Sequence, residues 1–405
     1  MTIKRWMRPA GGAALLCVVS LAYVAPPAAA DSIRDRQWAL SSFDAASIEK
    51  VSTGRGVTVA VIDSGVDGSH PDLVGNVLPG KDFLRGGRAD DEGSSSHGTG
   101  MASLIAGHGH GPGGTAGIRG LAPAAKILPL RAITDSELQM GTRKPVSQAI
   151  RYAVDHGASV INLSLGEDFK DPDVAASVKY ARQKDAVVVA AAGNDGVATP
   201  EYPASFPGVI SVGAVYSSGK TWTKSNYGSN NLLAAPGVDI LGAGENHEYR
   251  SGTGTSDATA YVSAAAALLR SKFPDLTAGQ IVNRLVKTAK LPESVKGGKL
   301  PDKHYGYGFI RPYRALTEDI PAGSKNGPLP APSASSEGAP APSDSADPGT
   351  SSSKDRSGYV IWGFVGVVVL GLLAVVAVVI VRRRRPVVPP PSPFGGQQPG
   401  PPFGQ

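Results

Sequence analysis

A chain of 405 residues with a single cysteine and 41% hydrophobic residues has room for one large core, which excludes a disulfide-stapled miniprotein. Of the net charge of +6, residues 1–30 carry +3 and residues 350–405 carry +5, which leaves −2 for residues 31–349. The basic balance belongs to the two ends, so nucleic-acid binding loses its main support and no nucleic-acid partner is expected.

Residues 1–30 combine a basic start, an apolar run from Ala13 to Val24 and the small residues Ala28, Ala29 and Ala30. That is the pattern of a secretory signal peptide cleaved after Ala30, and the run is short for a membrane span. Cys17 lies inside this leader, so the mature chain has no thiol for a disulfide, a zinc site or a nucleophile. Residues 31–55 form a polar N-terminal extension with one amphipathic helix expected over Phe43 to Val51. The extension is too short to fold alone and is suited to bracing the domain that follows.

Residues 56–318 read as one globular domain. The β-branched run Val57-Thr-Val-Ala-Val-Ile62 between glycines predicts a buried parallel strand with Asp63 at its carboxyl end, where open α/β sheets place their ligand crevice. Ser94 to Ala106 predicts a polar loop feeding a helix, with His97 in its first turn. Strands over Ile127–Leu130, Ser159–Leu165 and Ala186–Ala192 alternate with helices over Val146–His156 and Asp173–Lys184. Further strands are expected at Val209–Val215 and Leu232–Ala235. This alternation implies βαβ units, and so an α/β fold with a mainly parallel sheet and helices on both faces. Ser251-Gly-Thr-Gly-Thr-Ser256 then leads through a glycine loop into a helix from Thr255 to about Lys272, followed by an exposed amphipathic helix from Thr277 to Thr288.

Beyond residue 318 the composition changes. Residues 319–357 are a Pro/Ala/Ser-rich linker with too little apolar content to fold. Residues 358–381 contain a 22-residue uncharged apolar run, Val360 to Val381, long enough for one C-terminal transmembrane helix. Arg382 to Arg385 follow at once, which keeps the basic, Pro-rich tail of residues 382–405 cytoplasmic and the globular domain outside the cell membrane.

Taken singly, Asp63 and Asn194 read as turn residues, His97 as a surface residue and Ser256 as a helix cap. Taken together they supply what serine acyl transfer needs: a nucleophile, a base, a carboxylate to hold that base, and an oxyanion donor. The chain order Asp, His, Ser is that of the subtilisin class. Asp63-Ser-Gly-Val, His97-Gly-Thr-Gly-Met-Ala-Ser, Ala191-Ala-Gly-Asn194 and Gly254-Thr-Ser256 resemble the four signature blocks of subtilisin-like serine proteases, over roughly Ala39 to Leu316.

The resemblance implies a subtilisin-like serine endopeptidase acting on protein or peptide substrates. Asp63 would orient His97, His97 would be general base and acid, Ser256 the nucleophile, and Asn194 an oxyanion donor beside the Ser256 N–H. It also implies that Ser164, Leu165 and Gly166, with Ala191, Ala192 and Gly193, line the pocket for the residue before the cut. Alanine and glycine there leave room for apolar side chains. The layout of leader, catalytic domain, linker, span and arginine stop resembles the mycosins, membrane-anchored subtilases associated with type VII secretion in actinobacteria, as does Ile33-Arg-Asp-Arg-Gln-Trp38.

The chain departs from the family pattern at Asp257 and Ala260, where an apolar residue and a proline are usual. Asp257 is expected to add a second carboxylate beside the catalytic pair, favouring protonated His97. These departures leave open an alternative, a catalytically silent subtilase-like scaffold in a membrane secretion complex. No acidic stretch has calcium-loop spacing, so no metal or other cofactor is expected, with calcium binding left open.

Overall fold

The computed structural model describes residues 32–91, 96–135 and 143–330. The leader, most of the linker, the apolar run at 358–381 and the basic tail lie outside the described residues. Among the described residues, no helix is long and apolar enough to cross a membrane.

The extension enters as α1 (Ser32–Asp35), α2 (Trp38–Phe43) and α3 (Ala45–Glu49). Two short helices therefore replace the single one expected over Phe43–Val51. Asp44 adopts left-handed backbone, φ 56°, and its N–H closes α2 on the carbonyls of Leu40 and Ser41. The extension is tied to distant parts of the chain. Arg34 donates to the carbonyls of Gly114, Ala116 and Gly117, and Gln37 pairs both backbone groups of Arg119. Trp38 donates through Nε1 to the Val238 carbonyl.

The domain then runs β1 (Thr58–Asp63), β2 (Lys81–Asp82), α4 (Ser96–Ala106), a hairpin of β3 (His108–His110) and β4 (Ala116–Arg119), β5 (Lys126–Arg131), α5 (Arg143–Asp155), β6 (Val160–Leu163), α6 (Pro172–Gln183), β7 (Val187–Ala191), β8 (Ile210–Val215) and β9 (Asn231–Pro236). A second hairpin, β10 (Ile240–Ala243) and β11 (Tyr249–Gly252), precedes α7 (Thr255–Lys272), α8 (Ala278–Thr288) and α9 (Pro312–Thr317). Strand β2 and the two hairpins are too short to leave a readable alternation in the sequence.

Seven strands form one parallel sheet in the order β2-β5-β1-β6-β7-β8-β9. Because side chains alternate along a strand, Val59 and Val61 of β1 join the core that contains α4 and α7. Ala60 and Ile62 join the opposite core, with α5 and α6. Both faces are covered, as a buried parallel sheet requires.

Helix α7 is buried from Thr255 to Arg270, with Ala264 to Ala267 offering a wall of small side chains to the core. Its polar residues are paired rather than solvated. Ser263 Oγ donates to Asn162 Oδ1 (3.0 Å), Asn162 Nδ2 donates to Ser164 Oγ (3.0 Å), and Ser164 Oγ donates to the Ser256 carbonyl (3.1 Å). This chain fixes the register of α7 against the carboxyl end of β6.

Helix α8 is not the exposed helix expected from its pattern. Ile281, Val282 and Leu285 enter the core, while the stretch 319–330, which composition assigns to the linker, lies along the polar face. Arg284 donates to the carbonyls of Ala315, Glu318 and Ile320, Asn283 to that of Pro321, and Thr277 to that of Lys325. Asn162→Ala is expected to leave Ser263 and Ser164 buried without their partner, lowering stability by about 2 kcal/mol in guanidinium unfolding. A loss below about 0.5 kcal/mol, less than one net hydrogen bond, would mean that the chain does not hold the register.

Candidate active site

The sheet order reverses around β1, with β5 on one side and β6 on the other, so a crevice opens at the carboxyl ends of these strands. Asp63 ends β1 there and is fully buried. Its Oδ1 accepts from the Ser64 N–H (2.8 Å) and Ser64 hydroxyl (3.0 Å), so the carboxylate cannot swing. His97, in the first turn of α4, donates through Nδ1 to Asp63 at 2.8 Å and 3.0 Å. Donation from Nδ1 leaves Nε2 as the basic nitrogen. Gly98 lets this turn approach, since a Cβ there would overlap the Gly65 carbonyl.

Burial lowers the pKa of His97, but the charge of Asp63 and its hydrogen bond raise it. Arg250 lowers it, Asp257 raises it, and the balance lies above the ordinary histidine value.

Ser256 is the second residue of α7, and its Oγ donates to the Ser164 carbonyl at 3.3 Å. Asn194 follows β7, and its Oδ1 accepts from both the N–H and the hydroxyl of Thr255, each at 2.9 Å. With its oxygen taken twice, Asn194 has its Nδ2 donors to offer the cavity of about 160 Å³ that it lines with Ser256. Ser164, Leu165, Gly166, Ala191 and Gly193 line the same cavity, as do Asp195 and Glu201.

Asp257 is not a free second carboxylate. Its Oδ1 accepts from Arg250 at 2.7 Å, and both side chains are largely buried. Arg250 and Asp257 act on His97 in opposite directions, with Arg250 the stronger, so the expected rise from Asp257 alone is offset. The guanidinium occupies a slot between glycines. A Cβ at Gly100 would overlap Arg250 Nε, and one at Gly252 would overlap Nη1. Ala260, the other departure from the family pattern, is fully buried in the core of α7.

Residues 54–308 match the model of the subtilase family. The chain belongs to the subtilase family. It is 39% identical over 270 residues to the thermophilic serine proteinase of Bacillus sp. strain AK1, covering 67% of this chain and 63% of that protein. It is 35% identical over 349 residues to mycosin-1 of Mycobacterium tuberculosis, covering 73% and 76%. Among solved structures, MycP1 with its N-terminal propeptide removed aligns at TM-score 0.63 and 32% identity, over 71% of this chain and 99% of that one. MycP3 from the type VII (ESX-3) secretion system aligns at TM-score 0.59 and 33% identity, over 70% and 88%.

The subtilase brings Asp63 into contact with His97, and Ser256 into one cavity wall with Asn194 and five of the six pocket residues expected from sequence. Ala192 is the exception. Alternation past the end of β7 turns it from the neighbouring Ala191 and Gly193 into a small adjoining cavity that also contains Asn226. The expectation of an apolar pocket also changes, because Glu201 and Asp195 line it. Arg250 and Glu201 escaped the sequence reading. An acid directly after the Ser256 position was the one available sign that a counter-ion had to exist. Among the described residues, no group of three or more His, Cys, Asp or Glu side chains is placed to hold a metal ion.

Asp257→Ala in this subtilase is expected to leave Arg250 buried without its counter-ion, lowering stability on the order of 3 kcal/mol. The uncompensated cation would also lower the His97 pKa, so the rise of kcat/KM with pH should move to lower pH. A pH–rate profile with an unmoved ascending limb would show that the pair does not act on His97.

Proposed function

We propose that the chain is a membrane-anchored extracytoplasmic serine endopeptidase that cleaves protein substrates through an acyl-enzyme at Ser256. The observation that carries this reading is the 2.8 Å contact of His97 Nδ1 with the immobilised Asp63 carboxylate, at the sheet end where Ser256 begins α7. His97 Nε2 takes the Ser256 proton as Oγ bonds to the scissile carbonyl carbon. The oxyanion that forms accepts from Asn194 Nδ2 and the Ser256 N–H. Collapse breaks the C–N bond, and His97 returns the proton to the leaving amine. Water then repeats the sequence on the acyl-enzyme with His97 again as base. His97 must be neutral to begin, so activity rises with pH through its raised pKa.

Pairing of Asp257 with Arg250 supports an active enzyme over a silent scaffold, because the charge beside Ser256 is neutralised. The leader, the apolar run at 358–381 and Arg382 to Arg385 support export and anchoring, with the peptidase domain outside and the tail cytoplasmic. Similarity to mycosin-1, and to MycP3 from a type VII secretion system, supports a role beside type VII secretion components. Residues 331–357 would then tether the domain to its anchor.

A fluorophosphonate probe is expected to label the folded protein stoichiometrically at Ser256, and Ser256→Ala is expected to abolish labelling. Absence of labelling between about pH 5 and 9, where a histidine base must lose its proton, would favour the scaffold. In cell fractionation, the full chain should sediment with membranes, and a chain truncated after residue 357 should be released to the soluble extracytoplasmic fraction. Continued sedimentation of the truncated chain would remove the anchor from 358–381.

A further inference from the structure

We propose that Glu201 makes the cavity beside Ser256 a receptor for a lysine or arginine side chain on the acyl side of the scissile bond. The inference rests on the proteolytic reading above and adds the substrate class.

The carboxylate of Glu201 is inserted between the two walls of the cavity. A Cβ at Gly166 would overlap its Oε1, and a Cβ at Gly193 would overlap its Oε2. The glycines that suggest an open apolar pocket are therefore the space that an acid occupies. Asn226 Nδ2 donates to Oε2 at 2.9 Å and holds the carboxylate in place. No lysine or arginine among the described residues pairs with Glu201.

The surrounding charge has the same sign. Asp195, from the loop after β7, and Asp168, from the loop after β6, both face Glu201 electrostatically. Burial and these two acids push its pKa up to about 7, against the lowering effect of Asn226. A cation entering the cavity would meet two carboxylates at the walls, Glu201 and Asp195, with Asp168 acting nearby. A leucine or phenylalanine side chain would instead have to desolvate an ionised carboxylate, or wait for it to be protonated. Selectivity for a basic residue should therefore strengthen as pH rises through about 7.

The test uses the full chain and a set of peptide p-nitroanilides differing only at the residue before the cut: Lys, Arg, Leu or Phe. The ratio of kcat/KM for Lys over Leu cancels the ionisation of His97, which both substrates share. In the wild type this ratio should exceed about 10 at pH 8, a difference the loss of a paired charge readily produces, and fall as the pH drops below 7. Glu201→Gln keeps an oxygen for Asn226 and removes the charge. It should reduce the ratio at pH 8 by about 10–100-fold and abolish its pH dependence. A preference for Leu or Phe at pH 8, or a ratio unchanged by Glu201→Gln, overturns the proposal.

Benzamidine, an arginine mimic that needs no chemistry, separates the pocket from the reaction. Calorimetric binding to wild type and to Ser256→Ala, lost in Glu201→Gln, supports the basic pocket even where no peptide is cut; that outcome would sink only the proteolytic reading. Peptide cleavage without benzamidine binding and without a basic preference leaves the protease and sinks the pocket.

Discussion

Helix α7 is buried along nearly its whole length, and its position depends on the polar chain from Ser263 through Asn162 and Ser164 to the Ser256 carbonyl. Apolar packing alone is non-directional and would tolerate sliding of an alanine-rich helix against the sheet. Buried hydroxyl and amide groups do not tolerate it, because each lost partner exposes a desolvation cost. The same groups that fix the helix therefore place Ser256 at the carboxyl end of the sheet. Thr255 extends this logic by holding Asn194 through its backbone and its hydroxyl.

Around that anchor, glycine acts as a spacer for charge. Gly98 admits the His97 turn to the loop after β1, Gly100 and Gly252 admit Arg250, and Gly166 and Gly193 admit Glu201. Gly100 and Gly98 lie within α4, where glycine is intrinsically costly, so the close approach outweighs helix propensity. The result is a crevice in which most ionic groups have a defined partner. Asp63 holds His97 and Arg250 holds Asp257. Glu201 is held by Asn226, and no lysine or arginine among the described residues pairs with it.

The buried pair of Arg250 and Asp257 also changes how the departure from the family pattern is understood. An acid next to Ser256 would by itself oppose a developing oxyanion and favour protonated His97. Paired with a guanidinium it becomes a dipole, and the more effective member of that dipole acts on His97 in the opposite direction. The residue at 257 is thus one part of a four-residue arrangement with Arg250, Gly100 and Gly252.

The local pattern of the chain was enough for the α/β architecture, for strands β1 and β5 to β9, and for the start of α7 at Thr255. Continuous β-branched apolar runs, glycine boundaries and alanine-rich helical stretches are local properties and survive folding unchanged. The four blocks around Asp63, His97, Asn194 and Ser256 were legible for the same reason, since each is a short strand end or helix start. The break at Asp44, the covering of α8 by residues 319–330, the turn of Ala192 out of the pocket, and the arrival of Arg250 and Glu201 were not legible. Each depends on which distant backbone leaves space and which charge needs a partner. The sequence by itself determined six of the seven strands of the sheet, helices α4 to α8 and the candidate catalytic residues. Only the tertiary structure decided what electrostatic field surrounds them, because charges far apart along the chain interact through the space that folding creates.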